Sequence, residues 1–205
     1  MSRSGRGERT RAAILDSAVR RFAVGGFQGT AVSDVAREVE LSSAAVYAYF
    51  ANKRALFTEA VDHDASRLIE RSFAEIGRGD FDFDWAQILL RLLSTLPEHP
   101  LARRVLAGEE GKSVDRLLDL PAVVDVRNRF ATELRHGMAR GVVRHDIDPE
   151  QIAAGVEGLI MSLLIAVVQV GGAPDPVRAT GLLALLDAAI SPPPRPLSAA
   201  PTGGT

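Results

Sequence analysis

Val32, Val35, Ala36 and Val39 follow the i, i+3, i+4, i+7 spacing of one helix face. They predict a helix over about 31–39, with Thr30 placed to cap its N-terminus through the hydroxyl. Glu40-Leu41 breaks the pattern, and Ser42 then stands ready to cap a second short helix that carries Val46, Tyr49 and Phe50. Upstream, Ile14, Leu15, Ala18 and Phe22 form the apolar stripe of a helix over about 8–24, which Gly25-Gly26 ends. Phe27 is expected to pack back on this small core. Residues 1–8 are polar, rich in Gly and Arg, and read as disordered. Downstream, Asn52 caps a long helix over about 53–76, with Leu56, Phe57, Ala60, Val61, Leu68 and Ile69 near the helical period; the GRGD run at 77–80 breaks it.

The remainder also reads as helix. The pattern predicts segments over about 83–96, ended by Pro97; 101–107, bounded by Pro100 and Gly108; and 113–138, with Pro121 as a start or a kink. A loop over 141–146 leads to Asp148-Pro149-Glu150, an N-cap followed by proline at the first helical position. The helix from 149 to 170 is strongly apolar, and a last one begins near Pro174-Asp175-Pro176 and ends near Ile190. Both are apolar on more than one face, so both must be covered, either as central helices of a monomer or by a second subunit. The expectation is an all-α fold of about nine helices: a three-helix head over 1–58, a helical body over 59–191, and a disordered Pro/Gly/Ser/Ala-rich tail over 192–205.

Composition adds limits. With 46% apolar residues in 205, the chain can build a sizeable core. No cysteine is present, which excludes disulfides, thiolate metal sites and cysteine catalysis. The N-terminus has no apolar core of a signal peptide, and the apolar run near 159–170, interrupted by Ser162 and Gln169, is read as too short for a bilayer. The expected compartment is the cytoplasm, without a membrane partner. Net charge is −2, but it divides unevenly: residues 1–58 hold nine Lys/Arg against five Asp/Glu, and the rest hold fifteen against twenty-one. A basic head on an acidic body suits a DNA reader, although a difference of this size also arises by chance.

Two short helices joined by a turn of three to four residues make the helix-turn-helix unit, whose second helix enters the DNA major groove. Lys53-Arg54 places two cations at a helix start, where the dipole disfavours them, so an external anion such as a phosphate is implied. The run LSSAAVYAYFANKRALF at 41–57, preceded by GTAVSDVAREV, resembles the TetR family of transcriptional regulators. The aromatic pattern Tyr47-x-Tyr49-Phe50 followed by Asn52-Lys53 is its most specific part, and the likeness covers roughly residues 10–60. Two positions depart from that pattern: Glu40 stands where the family often has Gly, and Ala44-Ala45 stand where it often has Gly or Pro and then Thr.

Position then assigns roles. Ser42, Ser43, Ala44 and Ala45 lie nearest the base edges, where small side chains let the helix seat deeply. The resemblance implies phosphate contacts from Tyr47 and Lys53, and Thr30 adds a backbone N–H and a hydroxyl. Packing of Tyr47 on the first helix is the alternative. Tyr49 and Phe50 are expected in the core or at the domain junction. Arg3, Arg6, Arg9 and Arg11 form either a basic arm on DNA or a solubilising tail. The resemblance also implies a homodimer through the last two helices, 149–190, on a near-palindromic double-stranded operator, with release by a small effector.

No catalytic motif is present, and His63, His99, His136 and His145 lack metal-ligand spacing, so neither enzyme activity, metal nor cofactor is expected. An effector pocket would be apolar, and Phe73, Phe83, Trp85, Phe130, Met138 and Met161 are its candidate walls. A hydrophobic or amphipathic effector follows from that composition. The alternatives are a dimeric regulator without an effector, an activator, or a helical bundle whose helix-turn-helix pattern is accidental.

Overall fold

The computed structural model describes residues 3–73, 85–110, 117–171 and 176–192. Among them the chain forms nine α-helices and no strand. These are α1 (Arg3–Gly29), α2 (Val32–Glu38), α3 (Ser43–Tyr47), α4 (Lys53–Phe73), α5 (Trp85–Thr95), α6 (Pro100–Leu106), α7 (Pro121–Ala139), α8 (Pro149–Val170) and α9 (Pro176–Ile190). Short 3-10 turns stand at Leu96–Glu98 and Leu117–Asp119. The expected break at 77–80, the helix start at Phe83, residues 113–116, Pro174-Asp175 and the tail from 193 lie outside the described residues.

Local chemistry accounts for most boundaries. Asp148 accepts hydrogen bonds from the Glu150 and Gln151 amides at the start of α8, and Gly171 closes its end with φ 72°. Pro100 and Pro121 open α6 and α7 at the first helical position. Two expectations need correction. Residues 3–8 are helical, continuous with α1. Thr30 is not the N-cap of α2. That position is Ala31, which makes no side-chain cap. Thr30 is buried, and its hydroxyl donates to the Arg21 carbonyl at 3.0 Å. The glycine pair produces this arrangement: α1 breaks at Gly26 (φ 63°, ψ −178°), and a Cβ on Gly25 would stand 2.8 Å from the Thr30 hydroxyl.

The head core gathers Ile14, Ala18 and Phe22 of α1, Val35 of α2, Val46 of α3, Phe50, and Leu56 and Phe57 of α4. Phe22 and Phe27 each meet Phe57 edge-on, with ring centroids 5.0 and 5.3 Å apart. The expected boundary at 58/59 falls inside α4, whose Ala60 and Val61 belong to this same cluster together with Leu101 and Val105 of α6. The body core lies further along, around Leu68, Leu92, Phe130, Leu134, Val156 and Leu164.

Three consecutive residues of α4 fasten it to three other helices. Asp62 accepts from the Ala122 amide at 2.9 Å, which caps α7. His63 lies 3.0 Å from Asp16 of α1. Asp64 is buried and accepts from the Leu101 and Ala102 amides at 3.1 and 3.0 Å, which caps α6; it also meets His99 Nδ1 at 2.8 Å. Neither α6 nor α7 is capped by the side chain of its own N-cap residue. A carboxylate from α4 takes the orphan amides behind each proline and faces the positive end of the helix dipole.

One further expectation is corrected. α8 runs 22 residues with a mean hydropathy of 2.0 over its most apolar window, so by length and composition it is long and apolar enough to cross a membrane. Small residues ahead of Leu159 extend the apolar run beyond 159–170. In the fold α8 packs against α7 through the Arg127–Glu157 pair and against α6 through Gln169, which donates to the Leu106 carbonyl.

Asp64→Ala should lower stability by about 3 kcal/mol or more, since it strands buried donors at once. Asp62→Ala should cost about 1 kcal/mol, the usual effect of removing a helix cap. Urea unfolding followed by circular dichroism separates them; equal losses would show that capping alone sets the effect.

Candidate nucleic-acid interface and body cavity

The turn between α2 and α3 is built by backbone hydrogen bonds. The Leu41 amide donates to the Ala36 carbonyl at 2.9 Å and the Glu40 amide to the Arg37 carbonyl at 3.2 Å. This is the Schellman closure of a helix, and it puts Glu40 at φ 57°, the left-handed position that glycine usually fills. The departure seen at Glu40 in the sequence is thus one of backbone strain. The geometry of the turn is kept.

α3 begins as expected: the Ser42 hydroxyl accepts from the Ala45 amide at 3.1 Å. Val46 is fully buried and fixes the rotation of the helix. Ser42, Ala44 and Tyr47 are exposed, while Ser43 and Ala45 are half-buried. Tyr47 is 47% exposed, so it does not pack away on α1. Phe50 is buried as expected; Tyr49, at 37% exposed, is not a core residue, because α3 ends at Tyr47 and the following turn swings Tyr49 outward.

Lys53 follows a capped start: Asn52 accepts from the Ala55 amide at 2.9 Å. Its ammonium donates to the Gln28 carbonyl at 3.5 Å and lies 4.8 Å over the Phe27 ring, and Arg54 lies 5.6 Å over the same ring. The cations that looked misplaced against the dipole are therefore held on the α1–α4 junction. The Thr30 hydroxyl spends its only proton on the Arg21 carbonyl, so that proton is not available to a phosphate. Arg11 pairs with Glu59 and lies 5.1 Å over Phe50, so it is not part of a loose basic arm. Arg6 and Arg9 sit on the helical start of α1, and the side chain of Arg3 lies outside the described residues.

α1 and α2 are locked by charge. Arg20 and Arg21 donate to the two oxygens of Glu38 at 2.7 and 2.6 Å. The hydrogen bond from Arg20, followed by that from Arg21, holds the Glu38 carboxyl below its ordinary range. That contribution is fully present above the ordinary carboxylate range and is lost as pH falls below it through the lowered folded value.

A second junction joins head to body, and no periodicity in the sequence announced it. Glu110 accepts from the Phe27 amide at 2.8 Å and pairs with Arg104 of α6. Only glycine fits at position 26, where a Cβ would meet Arg104 Nη2 and Glu110 Oε1 at 2.9 Å each.

A partly open cavity of ≈ 100 Å³ lies between α4, α5, α6, α7 and α8 of the body. Of the candidates named from sequence, Phe73, Phe130 and Met161 line it. Met138 does not; it sits beyond α7's cavity-facing turns and packs at the edge of the body core. Phe83 lies outside the described residues, as does the side chain of Trp85. Sequence reasoning missed Glu157, which lines the cavity among apolar neighbours. It is the one charge in the apolar helix beyond Glu150 of its first turn, and that was the available signal. Burial pushes its carboxyl above the ordinary value, against the pull of Arg127.

Residues 14–60 match the family described as bacterial regulatory proteins, tetR family. The HTH-type transcriptional repressor AcnR of Corynebacterium glutamicum is 26% identical over 159 residues, covering 74% of this chain and 78% of its own. A solved structure from Rhodococcus sp., assigned to the TetR-family transcriptional regulators, superposes with a TM-score of 0.67 at 20% identity, over 89% of this chain and 98% of that one. The transcriptional regulator FadR from Bacillus subtilis, solved in complex with stearoyl-CoA, gives 0.63 at 21% identity, over 87% and 98%.

Glu40→Gly should raise stability by about 0.5–1 kcal/mol, the relief of left-handed strain less the entropy that glycine adds to the unfolded chain. Thermal melts of the two proteins decide it; a lower melting temperature would mean that the Glu40 side chain makes a stabilising contact that outweighs the strain.

Proposed function

We propose that this chain, whose residues 14–60 match the tetR family, is a transcriptional regulator that represses by binding a near-palindromic operator as a homodimer and leaves it when a small apolar effector enters the body. The observation that carries the DNA half is the exposure of Ser42, Ala44 and Tyr47 around α3 while Val46 anchors the helix. In this reading residues 42–45 face the base edges, Tyr47, Lys53 and the Thr30 amide hold phosphates, and the head of residues 1–58 is the reading unit. The C. glutamicum relative is a repressor, which supports that sign of control. The compartment that suits it is the cytoplasm, where the operator is.

The dimer is assigned to α8 and α9. Only 22% of the most apolar window of α8 is buried by the chain itself. Leu159, Val170, Val177 and Leu185 are exposed on the two helices, among small residues such as Ala166, Gly181, Ala184 and Ala188. A second copy covers these faces in a four-helix bundle.

Control runs through α4. Its first turns carry Leu56 and Phe57 of the head core, and its later turns carry Leu68 and Phe73 of the cavity wall. An effector that binds better to one tilt of α4 shifts the population toward it and changes the spacing of the two heads.

Anisotropy titration of DNA from the chain's own upstream region, at two salt concentrations, should show saturable binding that weakens with salt. Tyr47→Ala and Lys53→Ala should each weaken it by about tenfold, since removing one hydrogen bond to a charged phosphate costs roughly 1–2 kcal/mol. Unchanged binding in both would remove these residues from the interface. Leu185→Asp should leave the fold intact and shift the mass in sedimentation from twice 21.9 kDa to 21.9 kDa; a dimer that persists would move the interface elsewhere.

A further inference from the structure

We propose that the body cavity selects a compact apolar molecule carrying one neutral hydrogen-bond donor, such as a phenol or an alcohol, and that Glu157 Oε1 is the atom that receives it. This rests on reading the body as an effector domain. Apart from Glu157, every described residue lining the cavity is apolar, Leu68, Ile88, Leu92 and Phe130 among them. Such walls accept a hydrocarbon body and supply no partner for a second polar group. Glu157 is 8% exposed, and its two oxygens differ. Oε2 accepts from Arg127 Nη1 at 3.2 Å. Oε1 is shut away from solvent and finds no hydrogen-bond partner among the described residues. A buried carboxylate oxygen left in that state is costly, and a donor brought by a ligand restores what solvent would have given it.

The sign of the ligand follows from the charges around it. An ionised carboxyl accepts only, so a ligand that offers bare acceptors gains nothing there. An anion meets Glu157 and the field of Asp119, which acts on the same carboxyl. A cation would add a second positive charge beside Arg127, which already balances Glu157, and would lose its hydration in an apolar space. A neutral N–H or O–H donor meets neither obstacle. Size sets the rest: about 150 Å³ holds a benzene ring, so ≈ 100 Å³ admits one small ring with slight adjustment. Met161, on the wall, has the unbranched side chain that gives such adjustment.

The test is calorimetric titration of the full chain with phenol, toluene, benzylamine and benzoate, in the parent and in Glu157→Leu and Glu157→Gln. Circular dichroism confirms that each variant is folded. Phenol should bind about tenfold or more tighter than toluene, which has the same shape without the donor. The preference should fall to within about twofold in Glu157→Leu and be largely kept in Glu157→Gln, whose amide oxygen still accepts. Toluene binding as well as phenol, a preference that survives Glu157→Leu, tightest binding by benzylamine or benzoate, or no binding by any probe would each overturn the inference. The titrations contain no DNA. Phenol that saturates the protein and leaves the operator complex intact therefore counts against effector release and leaves the ligand class standing.

Discussion

The structure depends on the polar triplet Asp62-His63-Asp64 in the middle of α4. An isolated helix of α6's length, seven residues, has no stability of its own in water. Its first amides need acceptors, and behind Pro100 the local sequence supplies none. Asp64 supplies them from α4, inside the protein, where an unsatisfied donor is most costly. Asp62 does the same for α7 at the edge of the core. His63 ties the same turn to α1. One turn of one helix therefore sets the positions of three others, and those three meet both the head and the cavity.

That placement couples the two ends of the chain. α4 is rigid by packing above and below the triplet, with Leu56 and Phe57 in the head core and Leu68 in the body core. The hydrogen bond from the Phe27 amide to Glu110 gives a second link, through α6. The cavity wall thus has two short connections to the head, one along α4 and one through α6 to α1. Interfaces of this kind switch between discrete arrangements and do not deform smoothly.

Much of this is legible in the sequence because it is local. Proline at a first helical position, Asp148 and Ser42 as caps, and the glycine pair at 25–26 act within a few residues, and each falls where the pattern puts it. Thr30 shows how such reasoning fails. Its hydroxyl is equally suited to cap α2, but the break at Gly26 brings the Arg21 carbonyl within reach first. Tyr49 is not in the core, since α3 ends at Tyr47 and the residue lies in the turn that follows. Among the pocket candidates, residue type alone marks aromatic and methionine side chains; the fold brings Phe73, Phe130 and Met161 to the cavity and leaves Met138 outside it.

By itself the sequence determined the all-helical class, the helix-turn-helix and its spacing, and the basic head, because hydrophobic period, caps and charge are properties of short windows. Tertiary structure decided which carboxylate serves which amide, and which charge is buried. Asp64 and Glu157 each look like an ordinary helix-face acid in the sequence. One became the cap of a helix 37 residues away and the other the only ionisable group among the described residues that line an apolar cavity. Their roles come from the dielectric and the partners that packing puts around them, and those are set by residues distant in the chain.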